Sequence, residues 1–199
     1  MKENTNIEQE KMDLYDDSEV ALRTLSVLAE NRPSVMSQIA RLFTRNGYNI
    51  ESIAAGATHT EGMTRLTIEF MATARQTTLL VNQLAKMVPV HSAKQLNPAH
   101  CIRRELALFK VRVTNADQRN EIIQIANIYR GSIIDVSNET LTVAVIGNEG
   151  KIGALEEFLS SFEIIELART GTLAMERGKY SINDASKEHG EFEYGKSIL

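Results

Sequence analysis

The sequence predicts an α+β protein built from two tandem strand-helix-strand-strand-helix-strand units, on three observations. The apolar pattern switches repeatedly between strict alternation and helical spacing. The same order of elements, at similar lengths, occurs on both sides of the aperiodic stretch NPAHCI at 97–102. A helix followed by Gly47 and Ile50-Glu51 is echoed 84 residues later by a helix, Gly131 and Ile134-Asp135. At 199 residues the chain has room for two small cores.

Taken in order, residues 1–20 are polar, acidic and aperiodic and predict a flexible arm, with a short helix over Ile7 to Leu14 as the alternative. Leu25, Val27 and Ala29 alternate with polar neighbours as a strand. Val35, Ile39, Leu42 and Phe43 then recur at helical spacing up to Asn46-Gly47, a helix-ending pair. Tyr48 to Thr58 reads as a second strand. Leu66, Ile68 and Phe70 alternate as a third, after turn residues at His59 to Gly62. Leu80, Leu84 and Met87 mark a second helix and Val88 to Leu96 a fourth strand, closing a unit at 21–96. After the linker 97–102, the second unit (103–176) repeats the order. It has a strand at Leu106 to Val113, a helical stripe of Ile122, Ile125, Ala126 and Tyr129, and a hairpin of Ser132 to Ser137 with Leu141 to Ile146. A helix on Ile152, Leu155 and Leu159 and a last strand within Ile164 to Met175 complete it, leaving 177–199 as a polar tail. This is the split β-α-β, or ferredoxin-like, unit used twice. Each sheet leaves a face or an edge uncovered, so dimerisation is expected.

Composition narrows the function. The net charge of −4 is carried mostly by the first twenty residues, which are −5, and leaves the 155 residues of the body at +2. A near-neutral body without a basic stripe offers little of the counterion release that drives nucleic-acid binding. The strands also lack the aromatic platform of RNA-recognition sheets. One cysteine, Cys101, excludes an internal disulfide, and the charged N-terminus resembles no signal peptide; a soluble cytoplasmic protein without a membrane span is expected. Enzyme constellations are absent too. The four histidines have no metal-ligand spacing, and His100 beside Cys101 cannot complete a four-ligand site. Gly147-Asn148-Glu149-Gly150-Lys151 has two residues between its glycines where a phosphate-binding Walker loop has four, and reads as a strand-to-helix turn. Glu51, Arg65 and Arg104-Glu105 read as solvated or subunit-contact charges.

The start of the first helix stands out: Asn31 and Ser34 are capping types and Pro33 suits a first turn. The free amides of Ser34, Val35 and Met36 then form a donor cluster at the positive helix end, where a carboxylate fits. An ordinary self-satisfied cap is the alternative. Asn49, after Gly47, reads on spacing alone as part of the helix-to-strand turn.

The segments NRPSVMSQIARLFTRNGYNIESI (31–53), MTRLTI (63–68), RRELALFKV (103–111), YRGSIIDVS (129–137) and ARTGTLAM (168–175) together resemble the small regulatory subunits of acetolactate synthase, over about residues 21–176. The resemblance implies that the first unit is an ACT domain and that the chain is a non-catalytic homodimeric subunit. It implies a large catalytic subunit as partner, and thiamine diphosphate, magnesium and FAD are expected there and not in this chain. It also implies feedback inhibition by a branched-chain amino acid, usually valine, bound where two ACT domains meet. The positions carried over are Asn31, Ser34, Val35 and Met36 of one chain with Asn49 and Ile50 of the other. Ser34 stands where such families usually have Gly, and the outcomes open for its added Cβ and hydroxyl are a narrowed pocket, weaker binding, a different preferred amino acid, or tolerance with an added hydrogen bond. The rival reading is a free-standing ACT-type sensor of amino acids that controls another enzyme or regulator.

Overall fold

The structure, a computed structural model, describes residues 19–184, so the acidic arm lies outside it apart from residues 19 and 20. Two compact units are present. Among the described residues the first comprises 19–100 together with 175–184, and the second comprises 101–174.

In the first unit, β1 (Ala21–Glu30) leads to α1 (Val35–Arg45), followed by β2 (Ser52–Ala57), β3 (Met63–Ala72), α2 (Ala74–Ala85) and β4 (Val90–Leu96). The antiparallel sheet has the order β2-β3-β1-β4. Leu25, Val27 and Ala29 of β1 point to the helices beside Leu66, Ile68 and Phe70 of β3, and all six are fully buried. Helix α1 contributes Val35, Ile39, Leu42 and Phe43, the i, i+4, i+7, i+8 stripe of a one-sided helix. The Phe43 ring stands edge-on to Phe70 at 5.2 Å. The helix stops in a Schellman turn: Gly47 N donates to Thr44 O (3.0 Å) and Tyr48 N to Phe43 O (3.0 Å). Gly47 takes φ 76°, which a glycine adopts without strain. Thr73 and Gln76 close the start of α2 as a reciprocal capping box.

The second unit repeats this plan with β5 (Cys101–Arg112), α3 (Ala116–Ile128), β6 (Ser132–Val136), β7 (Thr140–Gly147), α4 (Glu149–Leu159) and β8 (Ile164–Arg169), in the sheet order β6-β7-β5-β8. A further strand, β9 (Leu173–Glu176), also pairs with β5. Phe109, Val111, Ile122, Val143, Ile152 and Leu155 form the centre of the core.

The predicted order of elements is the observed one, but boundaries differ, and β2 starts at Ser52, four residues after the expected Tyr48. The linker is shorter than 97–102, because Cys101 and Ile102 already belong to β5 and only a 3-10 turn, Pro98–His100, intervenes. The last strand is two strands, since Gly171 at φ 76° turns the chain between β8 and β9. Met87 lies past the end of α2, and Val88 is exposed outside β4. Finally, 177–184 is not a loose tail: it belongs to the first unit, where Ile182 is buried, while 185–199 lie outside the described residues.

The echo between Gly47 and Gly131 also has two different causes. In α3 the Schellman turn places Arg130 at the left-handed position, φ 50°. Arg130 N donates to Asn127 O (2.9 Å) and Gly131 N to Ala126 O (2.8 Å). Gly131 instead sits in a tight place, since a Cβ there would stand 3.1 Å from the carbonyl oxygen of Ala144 and press on that backbone.

Candidate functional site

At the end of β1 the chain turns through Asn31, Arg32, Pro33 and Ser34 into α1. Asn31 N donates to Gly62 O (2.7 Å), fixing the turn to the β2–β3 connection. Ser34 is the N-cap residue, but with φ 75° and ψ −15° it is left-handed, and its side chain makes no capping bond. Helix N-caps usually take extended backbone, which folds the side chain back onto the first-turn amides. Here the Ser34 hydroxyl instead accepts from Gln38 Nε2 (3.1 Å). Val35 N reaches Arg32 O only at 3.4 Å, and Gln38 N bonds Ser34 O at 2.9 Å. Among the described residues the amides of Met36 and Ser37 have no acceptor, so donors remain open at the positive end of the helix.

A pocket of about 300 Å³ opens at this point. Its walls are Glu30, Asn31 and Arg32, then Val35 and Met36 of α1, the small run Ala55-Gly56-Ala57 of β2, and Thr64 of β3. That volume is at the small end of ligand sites. Glu30 and Arg32 form an exposed ion pair at 2.5 Å, so one wall carries both signs of charge. The remaining side chains of the lining are mostly apolar. Open amides and a guanidinium for an anion, a carboxylate for a cation, and an apolar floor together complement a small zwitterion with an aliphatic side chain.

The corresponding helix start in the second unit is closed. Asn115 is extended there (φ −153°), and its Oδ1 accepts from Gln118 N at 2.9 Å. Gln118 Oε1 in turn accepts from Thr114 N (3.1 Å) and Thr114 Oγ1 (2.7 Å). One unit satisfies its helix start with its own side chains and the other does not.

Of the residues expected at the site, Asn31, Val35 and Met36 line the pocket. Ser34 shapes the turn and is not among the residues that line the pocket of one chain. At φ 75° position 34 has a backbone that glycine adopts without strain. Asn49 and Ile50 lie elsewhere in the same chain: Asn49 is exposed and donates to Glu51 Oε1 (2.9 Å), while Ile50 packs against the core. Sequence reasoning missed Glu30, Arg32 and the β2 wall. The signal was present in a strand, Ser-Ile-Ala-Ala-Gly-Ala, whose small residues mark a surface approached closely.

Other candidates resolve into structural roles. Asn148 of the Gly147–Lys151 turn caps α4 by accepting from Lys151 N (3.0 Å), and the Lys151 ammonium bonds Ile146 O (2.8 Å). Cys101 is buried at the start of β5. Glu105, read as a solvated or subunit-contact charge, is buried, because Arg169 grips its carboxylate with two nitrogens. That contact raises the Arg169 pKa above its usual value. Arg65 is half-buried, and burial lowers its pKa against the opposing pull of Glu176. Among the described residues no group of three or more His, Cys, Asp or Glu could hold a metal ion, and no helix is long and apolar enough to cross a membrane.

Residues 25–92 match the family described as an AHAS small subunit-like ACT domain, and residues 104–178 match the small subunit of acetolactate synthase. A probable acetolactate synthase small subunit from Methanothermobacter thermautotrophicus is 45% identical over 154 residues, covering 77% of this chain and 92% of that protein. The chain belongs to the acetolactate synthase small-subunit family. The acetolactate synthase small subunit of Aquifex aeolicus is 37% identical, with 85% of this chain and 88% of that protein covered. The crystal structure of the small subunit from Thermotoga maritima superposes with a TM-score of 0.75 at 35% identity, over 80% of this chain and 99% of that one. Within this small-subunit framework the pocket lies inside the matched ACT domain, and residues 179–184 lie beyond both family matches.

Proposed function

We propose that this chain is the regulatory subunit of an acetolactate synthase, without chemistry of its own. It raises the activity of a large catalytic subunit and confers feedback inhibition by a branched-chain amino acid, valine first. Thiamine diphosphate, magnesium and FAD belong to that catalytic subunit, and the complex works in the cytoplasm. The observation that carries the reading is the open helix start at Ser34–Ser37 beside a pocket bearing both charges, against the closed one at Asn115.

The effector carboxylate is held by the open amide of Met36 with Asn31, and its side chain lies on Val35 and Met36. Strand β2 is one of the two edges of its sheet, and its small residues let another backbone approach. A second copy pairing antiparallel through β2 about a two-fold axis sets the start of its strand beside the end of this one. The end of β2, Ala55–Ala57, lines the pocket, so the residues just before the partner strand, Asn49 and Ile50, come to the pocket mouth. Separation of these residues within one chain follows from a site shared by two.

The test is acetolactate formation by the catalytic subunit, with and without this protein, across valine, leucine and isoleucine. Stimulation, with inhibition by at least one of them, is expected. Failure to stimulate overturns the subunit reading. Stimulation without inhibition, and without a thermal shift that depends on Asn31 and Asn49, overturns the effector reading.

A further inference from the structure

The chain beyond β9 returns to the first unit and takes hold of β4. Glu176 forms an ion pair with Lys94, whose side chain is only 13% exposed. The same ammonium donates to Ser181 O (3.2 Å), Ser92 Oγ donates to Ile182 O (2.6 Å), and Arg177 N donates to His100 O (2.9 Å). Ser92 and Lys94 are two residues apart on a strand and therefore share a face. They pair across with Leu28 and Ser26, whereas the helices pack on the opposite face, through Leu25, Val27 and Ala29. The returning segment thus covers part of the sheet face that the helices leave open. It buries one apolar side chain, Ile182; its polar contacts include Ser92 and Lys94 of β4, and Glu176 also acts on the half-buried Arg65 of β3. An element with so few apolar contacts belongs to the low-stability end of a fold.

We propose that residues 176–184 are a latch, a detachable element that docks as one piece on the helix-free face of the ACT sheet and opens while both cores remain folded. Lys94 is its keeper: one ammonium bonds both the first residue of the segment and a carbonyl five residues on. Opening bares Ser92, Lys94 and the surface beneath Ile182, a few residues along β1 and β4 from the pocket at Glu30. Glu30 N is itself bonded to Pro89 O, just before β4 (2.8 Å), so the end of β1 that carries Glu30 of the pocket is tied to the start of the strand that holds the latch.

Trypsin provides the test, because Arg177 and Lys179 lie in the segment and are exposed. Cleavage at these bonds is followed by mass spectrometry on the full-length chain, with amide exchange of β3 and β7 as the measure of core integrity. The variants are Lys94→Met, Glu176→Gln and the exchanged pair Lys94→Glu with Glu176→Lys. Each single variant is expected to speed cleavage about fivefold or more with unchanged core exchange, as loss of a partly buried charge-assisted contact predicts. The exchanged pair is expected to recover much of the protection. The latch is overturned if the native chain is cleaved there as fast as a free peptide of the same sequence. It is also overturned if the single variants leave the rate unchanged, or if cleavage rises only in step with core exchange.

Discussion

Replacing Ser34 by glycine tests the origin of the open helix start. At φ 75° a residue with a Cβ is strained by about 1–2 kcal/mol relative to glycine. Glycine returns about 0.5–1 kcal/mol of that through the greater freedom of its unfolded chain. The Gln38–Ser34 hydroxyl bond is exposed, and its loss costs a few tenths of a kcal/mol at about the level of surface side-chain pairs. Ser34→Gly should therefore stabilise the ACT unit by about 0.5 kcal/mol, a rise in melting temperature of roughly 2–4 °C for a unit of this size. Ser34→Ala keeps the strained backbone and should change little. Ser34→Val, branched at Cβ, should lose about 1 kcal/mol or more. Because Ser34 does not line the pocket, effector affinity should move less than about threefold in the glycine variant, well short of the roughly five- to hundredfold that an overpacked site would recover. Calorimetry on the three variants, with isothermal titration of valine, reads both quantities. A glycine variant less stable than the native chain, together with a tolerated valine, would refute the conformational argument; a tenfold tighter effector would refute the spatial one.

Three further outcomes are expected. Arg130→Gly, at the left-handed position after α3, should stabilise the second unit by up to about 1 kcal/mol, readable as a shifted urea midpoint at constant slope. Arg169→Met strands the buried Glu105 carboxylate and should destabilise the second unit by about 2–3 kcal/mol, with part of the loss recovered by Glu105→Gln in a double-mutant cycle. Glu166 is hydrogen-bonded and ion-paired to Lys110 (2.8 Å), which holds its carboxyl below the usual glutamate range. The small stability it contributes is present above the unfolded glutamate pKa and is lost as pH falls through the folded value. Carboxyl NMR titration should find Glu166 back at an ordinary glutamate value in Lys110→Met, and an unchanged titration would remove this pair from the account.

Both sheets were legible because β1, β3, β5 and β7 alternate cleanly and the helices between them keep one stripe, so periodicity alone separated strand from helix. What stayed hidden depends on backbone geometry. Ser34 is a common N-cap type, and nothing in its identity indicates a left-handed backbone that turns its hydroxyl away from the amides. Gly131 looks like the counterpart of Gly47, yet the left-handed residue of that turn is Arg130, a type that carries no turn signal. Residues 177–184 read as polar tail because they dock through carbonyl groups and a single isoleucine, which leaves no period. The pocket was half visible: Asn31, Val35 and Met36 follow from the helix start, whereas the β2 wall arrives through sheet pairing over twenty residues of intervening chain.

The return of residues 175–184 to the first unit makes the order of synthesis matter. On the ribosome β1 to β4 emerge first and can form their helix-covered core at once, but the segment that covers part of the other face follows only after all of β5 to β9 has been made. For that interval Ser92 and Lys94 stand uncovered on a nascent sheet whose β2 edge is also unpaired. A chain interrupted anywhere in the second unit would lack the segment that covers Ser92 and Lys94, and would present that face together with the β2 edge as open pairing surface.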